Sequence, residues 1–529
     1  MRAILALLFL QMVVLCTSIE LSTTSRWIVH HASGKRVKLA CVNWPSHVEP
    51  MIAEGLEKKP LRHIVKKITE IGFNCVRFTW ATYMFTRSDY GSLRVSESLD
   101  KYNLSAAKDG IARNNPQILN MTLVELHKAV VMELGRKKVM VVLDNHVSRP
   151  TWCCSDKDGN GFFGDADFDA EEWLRGLAAV AEAYRDNRAV VGMSLRNELR
   201  GSRQNEADLY KYMQEGANTI HTQNPDVLVI VSGLKYDNYL EFLKYQPLAV
   251  NFTNKLVFEA HWYSFGTSAD EWVAQTNQLC ATVTKYARDN YLFLTEGNNS
   301  FPLFLSEFGI NQRGDSEADN RYIGCLLAAV AEFDVDWALW TLQGSYILRE
   351  GHADLEEFYG VLDLNWDHPR NPPFLDRLQV LRQTNQDYKS KHPTRYIMLH
   401  PLSGHCVHIA KNGIVAMASC KRASRWDQHQ DGGPIKLAGS PRCLGVAGDG
   451  EAPRVSRRCS SKWNYVSSSG LHLAAQDRRG EHLCLELEKN VSSEVVTKKC
   501  LCVGDDLVDL PTCVDNPQAQ WFKLIPTNI

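Results

Sequence analysis

Residues 139–146 read VMVVLDNH, residues 171–184 read EEWLRGLAAVAEAY, and residues 190–198 read VVGMSLRNE. The first and third segments are apolar runs of strand length, and the second repeats its apolar residues at three- and four-residue spacing. Because the two strands are continuous apolar runs, the pattern is typical of parallel strands that are covered on both faces. The three segments therefore predict a strand, a helix and a second, parallel strand.

The same alternation extends from residue 37 to about residue 341. It predicts eight strands, at 37–43, 74–79, 139–145, 190–197, 227–231, 256–261, 303–307 and 335–341, with helical patterns between them at 61–71, 123–134, 171–184 and 208–220. Eight such strands over about 300 residues indicate an α/β fold of the (β/α)8, or TIM barrel, type. An open doubly wound sheet would alternate similarly, but no Gly-x-Gly-x-x-Gly follows the first strand, so its dinucleotide-binding form has no support.

The composition is that of an ordinary globular protein. The 529 residues are 44% hydrophobic and 23% charged, which excludes disordered and collagen-like chains. The net charge of −2 shows no excess of basic residues of the kind that binds nucleic acid. No stretch beyond residue 18 has the ~18 uninterrupted apolar residues that a membrane span requires.

The N-terminus and the cysteines point to a secreted, extracellular protein. Arg2, an apolar run at 3–14 and the small residues at 16–18 predict a signal peptide over residues 1–18, the alternative being a buried N-terminal helix. Removal of Cys16 from the fifteen cysteines leaves an even number that can pair fully in an oxidising compartment. Glycosylation sequons follow at Asn103, Asn120, Asn251, Asn298 and Asn490.

After about residue 393 the helical patterns stop, and a polar segment at 385–394 is the predicted linker. The last 134 residues contain three repeats, each with two cysteines followed by a tryptophan: Cys406, Cys420 and Trp426; Cys443, Cys459 and Trp463; Cys484, Cys500 and Trp521. Three short β-rich repeats must pack together to bury a core, and one disulfide in each would brace them. Cys502 and Cys513 form a fourth candidate pair in an insertion.

The repeats resemble the ricin B-type lectin domain, which is a β-trefoil, and this resemblance implies an all-β domain over residues 396–529. The sugar-site signature of that family is Gln-x-Trp, whereas this chain has Ser424, Ser461 and Ala519 two residues before its tryptophans. A glycan ligand of the trefoil is therefore an open expectation.

Polar and aromatic residues stand at the ends of the predicted barrel strands, where barrels of this type hold their catalytic groups. They are Arg77, His146, Asn197, Glu198, His261, Tyr263, Glu307 and Trp340. Glu198 and Glu307 end strands four and seven, which face one another across the mouth of the barrel, and glycoside hydrolysis requires such a pair of carboxylates. The other six residues are candidate substrate-binding groups that contact sugar hydroxyls, orient a carboxylate or lie under a pyranose ring.

This set, in this order, resembles glycoside hydrolase family 5, the cellulase-like barrels, over roughly residues 27–390. The resemblance implies that Glu198 is the general acid/base and Glu307 the nucleophile of a retaining double displacement. It implies a carbohydrate substrate, no cofactor and no metal for the chemistry. The open alternatives are a glycosidase of a glycoconjugate such as a glycolipid, and a carbohydrate-binding protein whose barrel has lost activity.

The loop after the third predicted strand has two features that the sequence alone does not explain. Residues 156–167 place oxygen ligands and a glycine at calcium-loop positions, but position twelve is Asp167 rather than glutamate, and a tight polar turn explains the same residues. Cys153 and Cys154 are adjacent, so we expect each to pair elsewhere. With Cys41, Cys75, Cys280 and Cys325 they allow 15 connectivities.

Overall fold

Residues 20–410, 413–428, 431–488 and 494–529 are described by the structure, a computed structural model. The predicted signal peptide and the sequon at Asn490 lie outside these residues. Asn103, Asn120, Asn251 and Asn298 are all exposed.

Eight parallel strands form a closed barrel, as the sequence predicts. The strands are β1 (Ala40–Trp44), β2 (Cys75–Ala81), β3 (Met140–Val147), β4 (Val190–Ser194), β5 (Leu228–Val231), β6 (Leu256–His261), β7 (Leu303–Glu307) and β8 (Asp336–Leu339). Strand β8 pairs with both β7 and β1, which closes the barrel. Almost every residue of the eight strands is buried, because helices cover the outer face and side chains fill the interior.

Six long helices lie between these strands: α1 (Leu61–Ile71), α2 (Leu123–Arg136), α3 (Ala170–Ala183), α4 (Glu206–Gln223), α5 (Thr276–Asn290) and α6 (Glu317–Phe333). Shorter helices lie at Thr82–Thr86, Ser88–Gly91, Val95–Lys101, Ser105–Asn114, Leu234–Asp237, Ala269–Ala274, Pro372–Arg377 and Gln379–Arg382. Single 3-10 turns lie at Pro116–Ile118, Glu241–Lys244, Leu292–Thr295, Cys420–Arg422 and Pro517–Gln520. Helix α2 begins at a capping box in which Thr122 and Glu125 satisfy each other's backbone N–H groups.

Two antiparallel hairpins flank the barrel. The strands Leu21–Thr24 and Trp27–His30 form the first, and Ser345–Arg349 and His352–Glu356 form the second. Leu21 and Ile28 pack with apolar residues of the barrel interior, including Leu228 and Phe304. The first hairpin therefore covers the amino-terminal end of the barrel and leaves the opposite end for the site.

The C-terminal region is all-β and antiparallel, an arrangement consistent with a β-trefoil. Its strands are Arg395–His400, His405–Ile409, Val415–Ala418, Trp426–Asp427, Lys436–Leu437, Cys443–Gly445, Arg454–Ser456, Trp463–Tyr465, Leu473–Gln476, His482–Leu487, Val495–Lys499 and Lys523–Thr527. Its first strand, Arg395–His400, pairs along five residues with its last, Lys523–Thr527. The three repeat tryptophans are fully buried, as expected of core residues.

The predicted linker is held against the barrel rather than free. The backbone N–H groups of Asn385 and Gln386 donate to the Asp334 carboxylate at 3.0 and 2.9 Å. Arg36 also pairs with this carboxylate, and Lys38 does so at 2.9 Å. The backbone of the predicted linker therefore forms hydrogen bonds at the base of the barrel.

Seven disulfides are present among the described residues, and those of the C-terminal region are the four pairs predicted. The expectation that Cys153 and Cys154 pair elsewhere is wrong, because the structure joins them to each other. Cys41 and Cys75 occupy opposed register positions on β1 and β2 and pair there, while Cys280 and Cys325 join α5 to α6. No other barrel cysteine is then left for the adjacent pair.

Candidate active site

Arg77 is the fully buried centre of the site and comes from β2. Its Nη1 donates to Glu307 Oε1 at 2.8 Å, and its Nη2 donates to Asn197 Oδ1 at 3.0 Å and lies 2.9 Å from Asp144 Oδ1. Burial alone would lower the pKa of Arg77, but Asp144, Glu259 and Glu307 raise it above its ordinary value. The guanidinium therefore remains charged and fixes side chains from three other strand ends.

Glu307 is the last residue of β7, and both of its oxygens have donors. Oε1 accepts from Arg77, and Oε2 accepts from the Tyr263 hydroxyl at 3.1 Å. Burial raises the pKa of Glu307 to about 7, with His261 and Arg77 lowering it and Glu198 raising it further. Donors at both oxygens favour the carboxylate form of this side chain.

Glu198 lies four residues beyond the end of β4, in a left-handed backbone conformation with φ 46°. Its N–H donates to Asp237 Oδ2 at 3.0 Å, and its Oε1 lies 2.8 Å from His261 Nδ1. Burial raises the pKa of Glu198 to about 7. One carboxylate oxygen of Glu198 and one of Glu307 lie within 4.8 Å of each other and of a His261 ring nitrogen.

Asp144 and Asp237 are site residues that sequence reasoning missed. Asp144 Oδ2 lies 2.7 Å from His146 Nδ1, and Asp237 Oδ2 lies 3.6 Å from His261 Nε2. Each histidine therefore has a buried carboxylate behind it. The Asp-x-His spacing on β3 places both side chains on one face of the strand and could have identified Asp144. No comparable signal marks Asp237, because it follows two residues in left-handed conformation.

A cavity of about 950 Å³ opens over the two glutamates. Aromatic side chains form much of its wall, including Trp152, Tyr263, Phe265, Trp340 and Tyr359. The ring of His146 stacks on Trp340, with centroids 5.6 Å apart and planes 18° apart. Flat apolar walls with a few converging polar groups form the type of cavity that binds a sugar ring.

A family model described as cellulase (glycosyl hydrolase family 5) matches residues 32–345. The chain belongs to this family. It is an O-glycosyl hydrolase.

Two relatives of this family 5 chain illustrate the extent of the similarity. A glycosyl hydrolase 5 family protein of Chamaecyparis obtusa is 42% identical over 547 residues, which cover 100% of this chain and 97% of that protein. An endoglucanase of Paenibacillus polymyxa is 20% identical over 331 residues, which cover 59% of this chain and 76% of that protein. The first relative therefore extends through the all-β region as well as the barrel.

Solved structures show the same barrel fold. An endocellulase of the archaeon Pyrococcus horikoshii superposes with a TM-score of 0.55 at 18% identity, covering 69% of this chain and 99% of that one. The catalytic domain of the major endoglucanase of Xanthomonas campestris gives 0.54 at 20% identity, covering 68% and 98%.

The structure brings all eight predicted site residues of the family 5 chain together around this cavity. Arg77 lies beneath its floor, and six of the others line it: His146, Asn197, Glu198, Tyr263, Glu307 and Trp340. His261 is fully buried behind the two glutamates. Burial lowers the pKa of His261, so its ring is neutral near pH 7.

The loop at 156–167 has the contacts of a polar turn. Asp158 Oδ2 accepts from Arg200 at 2.6 Å, and Asp167 Oδ2 accepts from Arg149 at 2.8 Å. Arginines already neutralise these carboxylates, which favours the turn over the calcium interpretation.

None of the helices within the described ranges has the length and apolar character needed to cross a bilayer.

Proposed function

We propose that this chain is a secreted, glycosylated, retaining glycoside hydrolase that cleaves β-linked bonds in a polysaccharide such as β-glucan or mannan. Its catalytic barrel spans residues 27–390. The single observation that carries the proposal is the pair Glu198 and Glu307, which face one cavity with one oxygen of each carboxylate within 4.8 Å of the other. Retaining enzymes hold their carboxyl groups ~5–5.5 Å apart, whereas inverting enzymes leave ~6.5–9.5 Å for a water molecule.

The hydrogen bonds support different roles for the two glutamates. Glu307 accepts hydrogen bonds from a cation and a phenol, which favour its ionised form for attack on the anomeric carbon. The pKa of Glu198 is raised to about 7, as is that of Glu307, so the hydrogen-bond partners separate the roles: Glu198 faces the neutral ring of His261, as suits a general acid.

In the proposed reaction, Glu198 protonates the glycosidic oxygen while Glu307 forms a covalent bond to the sugar. Glu198, now ionised, then takes a proton from water, which displaces Glu307 and gives net retention. Asn197 hydrogen-bonds the sugar, and Trp340 lies against its ring. The endoglucanase and endocellulase relatives support a β-glucan substrate.

For residues 396–529 we propose a ricin B-type trefoil that is mainly structural. Ser424 and Ser461, which replace the signature glutamine, each accept a hydrogen bond from a backbone N–H, of Ile409 at 2.9 Å and of Val446 at 3.0 Å. Because these hydroxyls already accept hydrogen bonds from the backbone, they are poorly placed to bind a galactoside.

A hydrolysis panel tests the proposed activity. The full chain is incubated with β-glucan, mannan, a β-linked glycolipid and small aryl glycosides, with Glu307→Ala as the control for contaminating activity. We expect reducing ends to appear from a polysaccharide with the wild type only. Release from the glycolipid alone would favour the glycoconjugate alternative, and no release from any substrate would favour a binding protein.

A further inference from the structure

The Cys153–Cys154 disulfide differs from the other six in what it can do for the fold. The others span 34, 45, 14, 16, 16 and 11 positions of sequence, whereas this one spans a single position. A disulfide stabilises mainly by closing a loop of the unfolded chain, and this effect grows with the length of the loop. A bond between neighbours closes almost no loop, so chain entropy gives no reason for its presence.

Its position indicates a local role. Both cysteines line the cavity together with Glu198 and Trp340. The Asn197 side-chain amide points at them, with Nδ2 3.7 Å from each sulfur and 3.5 Å from His146 Nε2. Since Asn197 Oδ1 is held by Arg77, the sulfurs and His146 complete the orientation of this amide.

His146 faces the sulfurs with the nitrogen that can bind a metal. Its Nδ1 lies against the Asp144 carboxylate at 2.7 Å, an arrangement that places the proton on Nδ1 and leaves a lone pair on Nε2. One ring nitrogen of His146 and the sulfurs of Cys153 and Cys154 all lie within 4.8 Å of one another. Two thiolates and an imidazole are the ligands that soft divalent cations prefer.

We propose that the Cys153–Cys154 disulfide is part of the glycan-binding wall, and that its reduction creates a three-ligand site for a soft divalent cation at His146, Cys153 and Cys154. The first half rests on the proposed glycan substrate, whereas the second half does not. A cation bound there lies against Asn197 and beside Glu198, so it blocks the cavity.

The chemistry requires a small dithiol as reductant. The dithiol gives two electrons and two protons to the protein disulfide, which becomes two thiols, and the reagent becomes a cyclic disulfide. A cation such as Cd²⁺ then binds both sulfurs and His146 Nε2, and the two thiol protons pass to the buffer.

The experiment uses the full chain under mild reduction with dithiothreitol. Alkylation and peptide mass mapping identify conditions in which only Cys153 and Cys154 react; Cys41 and Cys75 are fully buried and serve as internal references. We expect the KM for a soluble β-glycan to rise severalfold, kcat to change less, and the thermal midpoint to stay unchanged. Reoxidation should restore the original KM.

Two double variants serve as matched controls. The Cys153→Ser, Cys154→Ser double variant should have the raised KM, and dithiothreitol should not change it. Cys502→Ser with Cys513→Ser removes a disulfide outside the cavity and should leave the KM at the wild-type value. An unchanged KM in the first variant, or an equal rise in both, would overturn the role in glycan binding.

Cadmium titration tests the cation site without any need for turnover. Reduced wild type should bind one Cd²⁺ with the ultraviolet absorption of a thiolate–cadmium bond, and the oxidised protein and the Cys153→Ser, Cys154→Ser variant should not. His146→Ala should weaken this binding. If the reduced protein binds no more Cd²⁺ than the double variant, the cation site is wrong. Absence of hydrolysis in the panel would refute the proposed function but leave this readout intact.

Discussion

At the scale of single residues, the two glutamates are chemically similar but differently surrounded. Both lie at the floor of the cavity, Glu307 buried and Glu198 partly buried, and burial raises both pKa values to about 7. Of the two glutamates, only Glu307 accepts hydrogen bonds from Arg77 and Tyr263, whereas the carboxyl of Glu198 contacts His261. This asymmetry is what separates a nucleophile from an acid, and it leads to two predictions.

The first prediction concerns roles. Glu307→Ala should lose nearly all turnover, and added azide should restore it with an inverted product, because azide attacks in place of the carboxylate. Glu198→Ala on an activated aryl glycoside should instead give a retained azide adduct, since the covalent intermediate still forms. Nuclear magnetic resonance of the anomeric proton distinguishes the products, and the reverse pattern would exchange the two roles.

The second prediction concerns pH. The active state of the pair holds one proton, so kcat/KM should follow a bell-shaped curve whose apparent pKa values belong to the pair. Activity falls on the acid side as Glu307 becomes protonated and on the alkaline side as Glu198 loses its proton. Because both pKa values are raised to about 7, the maximum should lie near neutral pH. An alkaline limb centred near 4.5, the ordinary value for glutamate, would contradict this.

The site residues at the strand ends could be predicted from the sequence, but the buried carboxylates that contact the site histidines could not. Patterns of apolar runs place Arg77 and Glu307 correctly, since they lie on strands themselves. Asp237 reaches His261 only because three successive residues adopt left-handed conformations, with φ values of 55°, 58° and 58°. Non-glycine residues rarely do so, and apolar periodicity carries no sign of it.

At the scale of elements, the sequence predicts the barrel strands better than the points at which the chain turns away from them. Strands β6 and β7 have the predicted bounds, whereas β4 ends at Ser194 rather than at Asn197. The chain leaves the sheet there so that Glu198 can turn into the cavity. In the C-terminal region, strands of two residues such as Trp426–Asp427 are too short to show any periodicity.

Asp334 joins several elements at the base of the barrel and yields the third prediction. It follows α6 in a left-handed conformation and accepts from Arg36, Lys38 and two linker N–H groups. Asp334→Ala would leave two buried cations unpaired, and removal of one partner from such a cluster costs about 3–5 kcal/mol. A lower thermal midpoint at pH 7 is the expected result.

The loss of stability in Asp334→Ala should also depend on pH. Burial alone would raise the pKa of Asp334, but Lys38 and Arg36 hold it below its ordinary 3.8. Its contribution is therefore present above that value and lost as pH falls through the lowered pKa, so wild type and Asp334→Ala should converge in acid. Asp367→Ala removes a partly exposed partner of Lys59 and should cost at most about 1 kcal/mol. Equal losses of stability in Asp334→Ala and Asp367→Ala would contradict this prediction.

At the scale of the whole molecule, the apolar core of the barrel extends into part of the all-β region, which also has a core of its own. Trp521 packs over Gly324 of α6, where a Cβ atom would lie 3.2 Å from the indole ring. Lys523 pairs with Glu332 of the same helix at 3.2 Å. The C-terminal region is therefore a cover for the barrel as well as a module of its own.

The fourth prediction follows from this shared core. Deletion of residues 396–529 should expose the outer face of α6, lower the thermal midpoint and promote aggregation, with little change in kcat on a small glycoside for molecules that remain folded. Gly324→Leu in the full chain should displace Trp521 and lower the midpoint in the same direction. A truncated barrel as stable as the full chain would show that the contact is incidental.

The pairing of the first strand of the C-terminal region with its last, Lys523–Thr527, has a consequence during synthesis on the ribosome. The barrel can fold as the chain emerges, because all eight of its strands precede residue 340. Strand Arg395–His400 must wait unpaired until Lys523–Thr527, far along the chain from it, has been translated. A stop codon that removes Lys523–Thr527 would therefore release a chain with a folded barrel, an open β-region and an uncovered helix, and such exposed apolar surface promotes aggregation.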